Sequence, residues 1–228
     1  MADITLPKTT LQPQPHTWRV GRATFLGLAG LTTGALILGK TPSNALSLLG
    51  PGRNAAGFEI YTIADFPVFD PATYKLEITG MVSKPRSYTF NELLNIPAVK
   101  EVRTFHCVTG WTVPDCRWTG VRLWDLVAAA APTAGATALR FFCFDGAYTE
   151  SLTLAQAKVS DVLLAYHLNG RPLSRQQGQP IRLLVPEMYG YKSAKWVNRI
   201  EVVNKVVPGY WEQNGYDVDA YIGRSNGY

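Results

Sequence analysis

A cysteine that directly follows a histidine, with aromatic residues and a glycine nearby, is the first group in the sequence that could do chemistry. His106 and Cys107 lie at the centre of this stretch, which covers residues 105–111 (FHCVTGW). These residues alone allow three interpretations: a buried structural thiol, a thiolate nucleophile activated by His106, or a thiolate ligand to a soft metal. Because adjacent residues of a strand point to opposite faces, His106 is poorly placed to deprotonate Cys107.

A second candidate site contains three cations in a stretch rich in glycine and aromatic residues. Arg182, Lys192 and Lys195 lie between residues 176 and 196. They could be exposed charges that keep the protein in solution. Their alternation with glycine and aromatic residues also suits a loop that brings backbone amides and fixed donors to a phosphate. The spacing predicts no more than an anion-binding site.

Short strands and short helices must position these groups. Residues 74–79 alternate apolar and polar side chains, which is typical of a strand with one solvated face. A capping box at residues 89–92 predicts a short helix, and the alanine- and leucine-rich residues 121–131 predict another. Four further strands are expected at residues 139–144, 162–168, 181–185 and 196–203, and the second of them is followed by an Asn-Gly turn at 169–170. A third helix is expected at residues 153–157.

This pattern predicts an α+β fold, a mixed and strand-rich single domain. Helices and strands do not alternate in regular βαβ units, and the sequence has neither a G-x-G-x-x-G nor a P-loop motif, which disfavours a parallel nucleotide-binding sheet. The chain is 46% hydrophobic and 17% charged, so it can form a core without disulfides. Cys116 and Cys143 are expected to be small buried side chains, with a disulfide between them as the alternative.

The formal charge of +5 does not indicate a nucleic-acid partner. Residues 1–45 carry four basic residues and one acidic residue, so most of the excess lies at the N-terminus. The rest of the chain has 18 basic and 16 acidic residues, whereas a nucleic-acid binder clusters basic residues on its folded body.

Residues 1–45 are expected to be a disordered tail and an export signal or membrane anchor, followed by a linker at 46–57 and the folded domain at 58–228. The apolar, uncharged stretch at 25–39 has 15 residues, fewer than the roughly 20 that span a bilayer, and is typical of an export signal. A degenerate twin-arginine motif precedes it. Without cleavage, residues 19–39 could remain as a tilted anchor; a cytoplasmic amphipathic appendage is the alternative.

Both candidate sites belong to a set of motifs that resembles the molybdenum-binding domain of the sulfite oxidase family. The similarity is greatest to its bacterial exported branch, which includes the catalytic subunit of the periplasmic methionine-sulfoxide reductase. The likeness runs from about residue 58 to residue 226. Eight motifs occur in the order found in the family: residues 70–74, 107–111, 118–121, 145–148, 164–170, 178–182, 189–192 and 209–212.

The resemblance implies a molybdenum–molybdopterin cofactor, with Cys107 as the protein's sulfur ligand to the metal. It also implies that Arg182 holds the pterin or its phosphate, and that the tripeptide 193–195 makes the last cofactor contacts. His106, Tyr189 and Tyr191 are further catalytic candidates, as hydrogen-bond donors beside an oxo group. The cofactor-binding residues implied by the family are Phe58, Tyr61, Thr62, Asp145, Gln177, Arg182, Ser193, Ala194 and Lys195.

Two departures from the family pattern bear on the substrate. Gln177 stands where the family usually has His or Asn, and Tyr61-Thr62 replaces the Arg-Asn of the sulfite oxidases. The resemblance therefore implies an oxidoreductase that transfers an oxygen atom with two electrons, and the second departure favours reduction of a sulfoxide or a related S- or N-oxide. Oxidation of sulfite or another small sulfur anion is the alternative, as is a binding module without a cofactor.

The expected partners follow from the same resemblance. A small oxo compound would be the substrate, and an external electron partner, such as a membrane haem protein or a cytochrome, would be required because the sequence has no haem-binding domain. We expect an exported, extracytoplasmic monomer.

Overall fold

The computed structural model describes residues 54 and 56–224. The tail and export signal or anchor expected at residues 1–45 lie outside the described residues, as does most of the linker expected at 46–57. Within the described part of the chain, no helix combines the length and apolar composition that a membrane crossing requires.

The described residues contain ten strands and four short helices. In chain order the strands are β1 (Lys75–Gly80), β2 (Arg86–Thr89), β3 (Val99–His106), β4 (Thr112–Arg122), β5 (Ala138–Cys143), β6 (Thr149–Thr153), β7 (Leu163–Leu168), β8 (Arg171–Pro172), β9 (Arg182–Leu184) and β10 (Val197–Val203). The helices are α1 (Phe90–Leu94), α2 (Leu123–Ala129), α3 (Leu154–Ala157) and α4 (Tyr210–Gln213). Single 3₁₀ turns cover Arg175–Gln177 and Gly190–Lys192.

These strands form two five-stranded sheets. The first has the order β2-β1-β10-β5-β6, in which β1 and β10 are parallel and the other neighbours are antiparallel. The second has the order β3-β4-β7-β8, with β9 also paired to β7, and is antiparallel throughout. Strands far apart in sequence therefore meet, and the mixed α+β fold predicted from the sequence is confirmed.

Local sequence signals set the boundaries of the short elements. Thr89 and Glu92 form the predicted capping box at the start of α1, and Thr153 and Gln156 form another at α3. The Asn169-Gly170 turn has positive φ at both residues, as predicted for the hairpin between β7 and β8. The helix expected at 121–131 is shorter, because residues 121 and 122 still pair with β7 at the end of β4.

Two clusters of buried side chains form the core. The larger takes residues from both sheets, for example Leu76 of β1, Phe141 of β5 and Leu164 of β7. The smaller surrounds Trp118 of β4 and includes Phe58. Cys116 lies in the smaller cluster and Cys143 in the larger one, and both are buried free thiols, so the expectation of small buried side chains is confirmed and the disulfide alternative is wrong.

Candidate active site

A largely apolar cleft of about 1020 Å³, including its open mouth, lies where several loops meet. Its lining residues come mainly from the segment before β1, the loop after β3, the loop after β5, both 3₁₀ turns and α4. Apolar walls with a few placed polar groups are typical of cofactor and substrate sites. The residues that line it are Phe58, Glu59, Ile60, Tyr61, Thr62, Ile63, Phe105, Cys107, Val108, Thr109, Trp111, Asp145, Tyr148, Gln176, Gln177, Arg182, Gly190, Tyr191, Ser193, Ala194, Lys195, Trp196, Trp211 and Tyr216.

Cys107 is held at the start of a tight turn between β3 and β4. Its backbone N–H donates to the carbonyl of Trp111 (2.9 Å), and its carbonyl accepts from the N–H of Gly110 (3.0 Å), which has φ +97°. The sulfur lies 3.2 Å from the hydroxyl oxygen of Thr109. This turn directs the half-buried thiol into the cleft.

The electrostatic surroundings of Cys107 do not suit a thiolate nucleophile. Burial raises the pKa of the thiol, hydrogen bonds from Thr109 partly oppose that rise, and the charge of Glu59 adds to it. A nucleophilic cysteine needs a lowered pKa, usually from a neighbouring cation. His106, the last residue of β3, is not among the described residues that line the cleft. Of the three interpretations, the structural thiol and the metal ligand remain.

Arg182 is a buried cation whose hydrogen bonds go to backbone carbonyls. It is 4% exposed, and its guanidinium donates to the carbonyls of Gln177 (3.2 Å) and Ser193 (2.8 Å). The salt bridges found among residues 56–224 do not include it. Burial lowers the pKa of Arg182 to about 10, a sign that its charge is poorly compensated.

Lys195 is a second cation of this kind, on the same wall. Its Nζ donates to the carbonyl of Tyr61 (2.5 Å) and lies 4.3 Å from the ring centroid of Trp196. Burial and then the charge of Arg182 lower the pKa of Lys195 to about 7, with Asp145 opposing. A bound anion would stabilise both charges, so this pair of cations is the part of the cleft that suits an anion.

Two polar atoms of the cleft also lack partners in the described part of the chain. Asp145 accepts hydrogen bonds from the backbone N–H groups of Ala147 and Tyr148 through Oδ1, whereas its buried Oδ2 has none. The buried Nε1 of Trp111 is likewise without an acceptor. Buried polar groups are normally satisfied, so this acceptor and this donor indicate a ligand with polar ring edges.

The residues around Arg182 and Lys195 are uncharged, and their hydrogen bonds hold the surrounding backbone in place. Ser193 accepts the N–H of Val185 through its hydroxyl (3.1 Å), and its carbonyl holds Arg182. The side-chain oxygen of Gln177 accepts from the N–H of Ser174 (2.9 Å), which caps the 3₁₀ turn. Gly178 follows Gln177 and has φ +107°, a backbone conformation that favours glycine. A Cβ at this position would lie only 3.0 Å from Lys195 Cβ, so glycine also allows the close contact with Lys195.

The segment before β1 forms a further part of the lining and meets Lys195 through the carbonyl of Tyr61. Phe58 is 4% exposed and packs against Phe105 with ring centroids 5.0 Å apart, which ties this segment to the smaller core. Tyr61 donates from its hydroxyl to Glu59 (3.0 Å), and Thr62 donates to the carbonyl of Ala64 (2.5 Å). Tyr61 and Thr62 therefore face the cleft with polar groups that are already bonded locally.

A third wall is aromatic and comes from residues near the C-terminus. The hydroxyl of Tyr191 donates to the carbonyl of Asp217 (2.7 Å), and its ring packs against Tyr216 at 5.4 Å. Trp211 of α4 packs on the other side of Tyr216 at 5.3 Å. Tyr148 donates to the carbonyl of Tyr191 (2.5 Å). We call Tyr148, Tyr191, Trp211 and Tyr216 the aromatic wall.

Lys192 does not take part in the cleft. It is fully buried between the carboxylates of Glu150 and Glu212, and it is not among the lining residues. For this residue, both interpretations drawn from the sequence, a solubilising charge and a member of an anion site, are wrong. Of the three cations predicted for an anion site, only Arg182 and Lys195 line the cleft.

The structure brings eleven of the thirteen predicted site residues to one cleft; the exceptions are His106 and Tyr189. Sequence reasoning did not single out Glu59, Thr109, Trp111, Tyr148, Trp211 or Tyr216 as site residues. Most of them fall inside the quoted motifs at 107–111, 145–148 and 209–212, so the signal was present. Glu59 lies between two expected contacts, and only its position beside Cys107 shows its role in the local charge.

The cleft combines a cysteine, two poorly compensated cations, an unpaired acceptor and an unpaired donor within a largely apolar lining. This combination suits an anionic heterocyclic cofactor. The residues present fit a pterin that bears a phosphate and a metal dithiolene. The chain belongs to the family described as the oxidoreductase molybdopterin-binding domain, whose model matches residues 63–211. It is an oxidoreductase of that family, as the sequence predicted.

Individual relatives agree with this assignment. The uncharacterized oxidoreductase YuiH of Bacillus subtilis is 33% identical over 184 residues, which is 79% of this chain and 92% of that protein. The human mitochondrial sulfite oxidase is 32% identical over 180 residues, 66% of this chain and 33% of that protein. The methionine-sulfoxide reductase catalytic subunit MsrP of Ralstonia nicotianae is 30% identical over 156 residues, 62% of this chain and 47% of that protein.

The chain thus spans nearly all of YuiH but only a third to a half of the sulfite oxidase and MsrP relatives. Among solved structures, the sulfane dehydrogenase SoxCD of Paracoccus pantotrophus superposes with a TM-score of 0.60 at 20% identity, covering 86% of this chain and 59% of that one. This likeness concerns the fold alone. It agrees with the strand-rich architecture described above.

Proposed function

We propose that this protein holds a molybdenum–molybdopterin cofactor in the cleft, with Cys107 as the protein's ligand to the metal. The observation that carries the proposal is that the buried Arg182 and the half-buried Lys195, two cations with lowered pKa values, share a cleft with the half-buried thiol of Cys107. A cofactor with a phosphate and a thiophilic metal would satisfy both ends of this cleft at once.

The chain's own residues divide the binding between them. Arg182 would donate to the phosphate with its planar guanidinium, and Lys195 would act beside it as a point charge. Asp145 Oδ2 and Trp111 Nε1 would pair with the polar edges of the pterin. Thr109 would hold the sulfur of Cys107, which binds a metal as a thiolate although its pKa is raised in the protein alone.

When bound, the cofactor supplies two-electron exchange of an oxygen atom at the metal. Reduction of a sulfoxide takes two electrons and two protons and releases a sulfide and water. The protein's part is to exclude water, orient the oxo group and supply donors beside it. Tyr61 and Tyr191 line the cleft and are candidates for those donors. Each hydroxyl would have to turn from its present acceptor, Glu59 or the carbonyl of Asp217, to reach an oxo group. The catalytic role suggested for His106 stays a prediction, with less support because His106 lies outside the lining.

We propose a neutral S- or N-oxide, with a sulfoxide first, as the substrate. Tyr61 and Thr62, which stand where the sulfite oxidases have Arg and Asn, line the cleft with neutral side chains. These side chains offer hydroxyl groups to a neutral oxide and no positive charge to an anion such as sulfite. Oxidation of a small sulfur anion is the second candidate, supported by the sulfite oxidases among the relatives.

The electron partner and the location complete the proposal. We propose an external donor, a membrane haem protein or a cytochrome, since the two-electron reaction needs one. One of the relatives, MsrP, is a catalytic subunit by name. Export is supported by the apolar stretch at 25–39, and a monomeric state remains the simplest expectation.

Metal and pterin analysis tests the assignment. The full chain, purified from a host that makes the molybdenum cofactor, should contain about one molybdenum and one pterin per protein, and Cys107→Ala should lose at least 90% of the molybdenum (on the order of a tenfold weakening). Cys116→Ala is the matched control, because this buried thiol does not line the cleft. Native protein without molybdenum and pterin would overturn the cofactor assignment, and equal retention of molybdenum in both variants would overturn the role of Cys107 as a ligand.

The substrate is tested on the loaded protein with a panel of sulfoxides and N-oxides against a reduced dye, and with sulfite against an oxidised acceptor. Turnover of neutral oxides with little turnover of sulfite is expected. Preferential oxidation of sulfite would reverse the assignment of direction and leave the cofactor assignment intact.

A further inference from the structure

A three-residue ion cluster lies directly behind the aromatic wall. Lys192 and Glu150 are fully buried and Glu212 is 8% exposed. Lys192 Nζ donates to Glu150 Oε1 at 2.6 Å and also to Glu212 Oε1. Neither the anion site nor the proposed chemistry uses this cluster.

Each member is a neighbour in sequence of a cleft residue. Lys192 follows Tyr191 in the 3₁₀ turn, and Glu212 follows Trp211 in α4. Glu150 lies two residues after Tyr148, whose hydroxyl donates a hydrogen bond to the carbonyl of Tyr191. The cluster therefore ties together the three segments that carry the aromatic wall.

Glu212 adds a second link to α4. Its Oε2 accepts the backbone N–H of Gly209 at 2.6 Å, which caps the first turn of the helix. A Cβ on Gly209 would lie 2.6 Å from the carbonyl oxygen of Thr149, so α4 packs closely on β6 beside Glu150. A small displacement of the cluster would therefore move Trp211.

The cluster has one cation and two carboxylates, and it is neutral only when one carboxylate holds a proton. Burial, opposed by Lys192 and reinforced by Glu212, raises the pKa of Glu150 from 4.5 to about 8. Glu150 Oε2 has no hydrogen-bond partner within residues 56–224, which leaves room for that proton. The titratable groups whose charges act on Glu150 or on which its charge acts are Lys192, Glu212, Tyr148 and Cys143.

We propose that Glu150 is a positioning residue that, with its proton in place, keeps Trp211 and Tyr191 packed against the cleft. Loss of the proton leaves an unbalanced negative charge buried between β6 and α4. Because such a charge is costly away from water, we expect α4 to shift outward so that water can solvate it. The aromatic wall then loosens. The predicted effect on substrate binding rests on the proposed function. The positioning role of Glu150 does not, because the aromatic wall is present without the cofactor.

The effect on the reaction would appear in substrate binding. The aromatic wall offers apolar faces to the carbon substituents of an S-oxide, and sulfur packs well against aromatic rings. Loosening the wall should raise KM, because the carbon substituents of the substrate would lose these apolar contacts.

The test is a pH titration of Trp211 exposure in the full chain. Acrylamide quenching of tryptophan fluorescence is measured from pH 6 to pH 9.5. The contribution of Trp211 is the difference between the native protein and the Trp211→Phe variant. Quenching of Trp211 in the native protein should increase about twofold as the pH rises through about 8. In Glu150→Gln, whose amide resembles the protonated carboxyl, quenching should stay at the low-pH level throughout.

Glu187→Gln is the matched control, because it removes one charge from an exposed residue and should behave as the native protein does. A flat native profile, or an equal rise in Glu150→Gln, would overturn the proposal. Should Glu150→Gln fold poorly, hydrogen exchange of residues 209–216 in the native protein over the same pH range decides the question: no acceleration above pH 8, beyond the intrinsic pH dependence, also overturns it. The quenching readout needs no cofactor, so its outcome is independent of the metal analysis.

Discussion

Lys192 and Lys195 are three residues apart in one loop, and the protein uses them in opposite ways. Lys192 is fully buried between two carboxylates. Lys195 lies beside Arg182 with a backbone carbonyl and an aromatic ring as its contacts, and its pKa falls to about 7. The first charge is neutralised within the chain, whereas the second requires a counter-charge from outside.

The difference shows how a stabilising charge can be told from a binding charge. A buried ion that is paired within the fold strongly resists removal of one partner, because the other is then left uncompensated. A buried cation without an acid destabilises the empty protein and is stabilised when a ligand anion binds. The same substitution at the two lysines should therefore have different consequences.

The largest expected effect is on stability. Lys192→Met leaves Glu150 and Glu212 buried without their cation, and it should lower the free energy of unfolding by about 3–5 kcal/mol at pH 7. Urea denaturation of the full chain measures this value. A loss below about 1 kcal/mol would mean that the ion cluster does not hold the fold together.

The matched change at the other lysine should spare the fold and impair binding. Lys195→Met keeps the length of the side chain and removes a poorly compensated charge, so the free energy of unfolding of cofactor-free protein should change by no more than about 1 kcal/mol. Cofactor content after purification should fall about tenfold. If Lys195→Met destabilised the protein as much as Lys192→Met while retaining the cofactor, the distinction between the two lysines would be wrong.

A smaller effect concerns pH. In cofactor-free protein Lys195 carries its proton below a pKa of about 7 and loses it above. Binding of pyrophosphate, a probe for the phosphate end of the cofactor, should therefore weaken about tenfold between pH 6 and pH 8.5, as one charged hydrogen bond is lost. Isothermal titration calorimetry gives the affinities, and Lys195→Arg should weaken much less over this range. Equal slopes in the two proteins would contradict the assignment of this lysine.

Several elements could be predicted because local sequence decides them. The capping boxes at Thr89 and Thr153 and the Asn169-Gly170 turn depend on residues at most three apart. In the first sheet, β1, β5 and β10 have apolar patterns that burial explains, whereas the mostly polar β2 and β6 were not predicted. Long β4 was harder to identify, since Pro114 and Gly120 are residue types depleted in strands. Its position in the middle of the second sheet comes from pairing with β3 and β7.

The candidate site divides in a similar way. Cys107, Arg182 and Lys195 could be identified from ordered motifs, and they do line one cleft. Glu59 and the aromatic wall could not be assigned, because nothing in their local sequence states which side chains they meet. The partners of Lys192 lie 42 and 20 residues away, so local spacing could not distinguish it from Lys195.

The sequence by itself determined the family, the mixed α+β class and the residue types that a pterin, its phosphate and a metal would need. These follow from motifs and turns that are local in the chain. Only the tertiary structure decided which charges are balanced, since the energy of a charge depends on burial and on neighbours supplied by distant strands. It thereby assigned Lys192 to the ion cluster and Lys195, with Arg182, to the binding site.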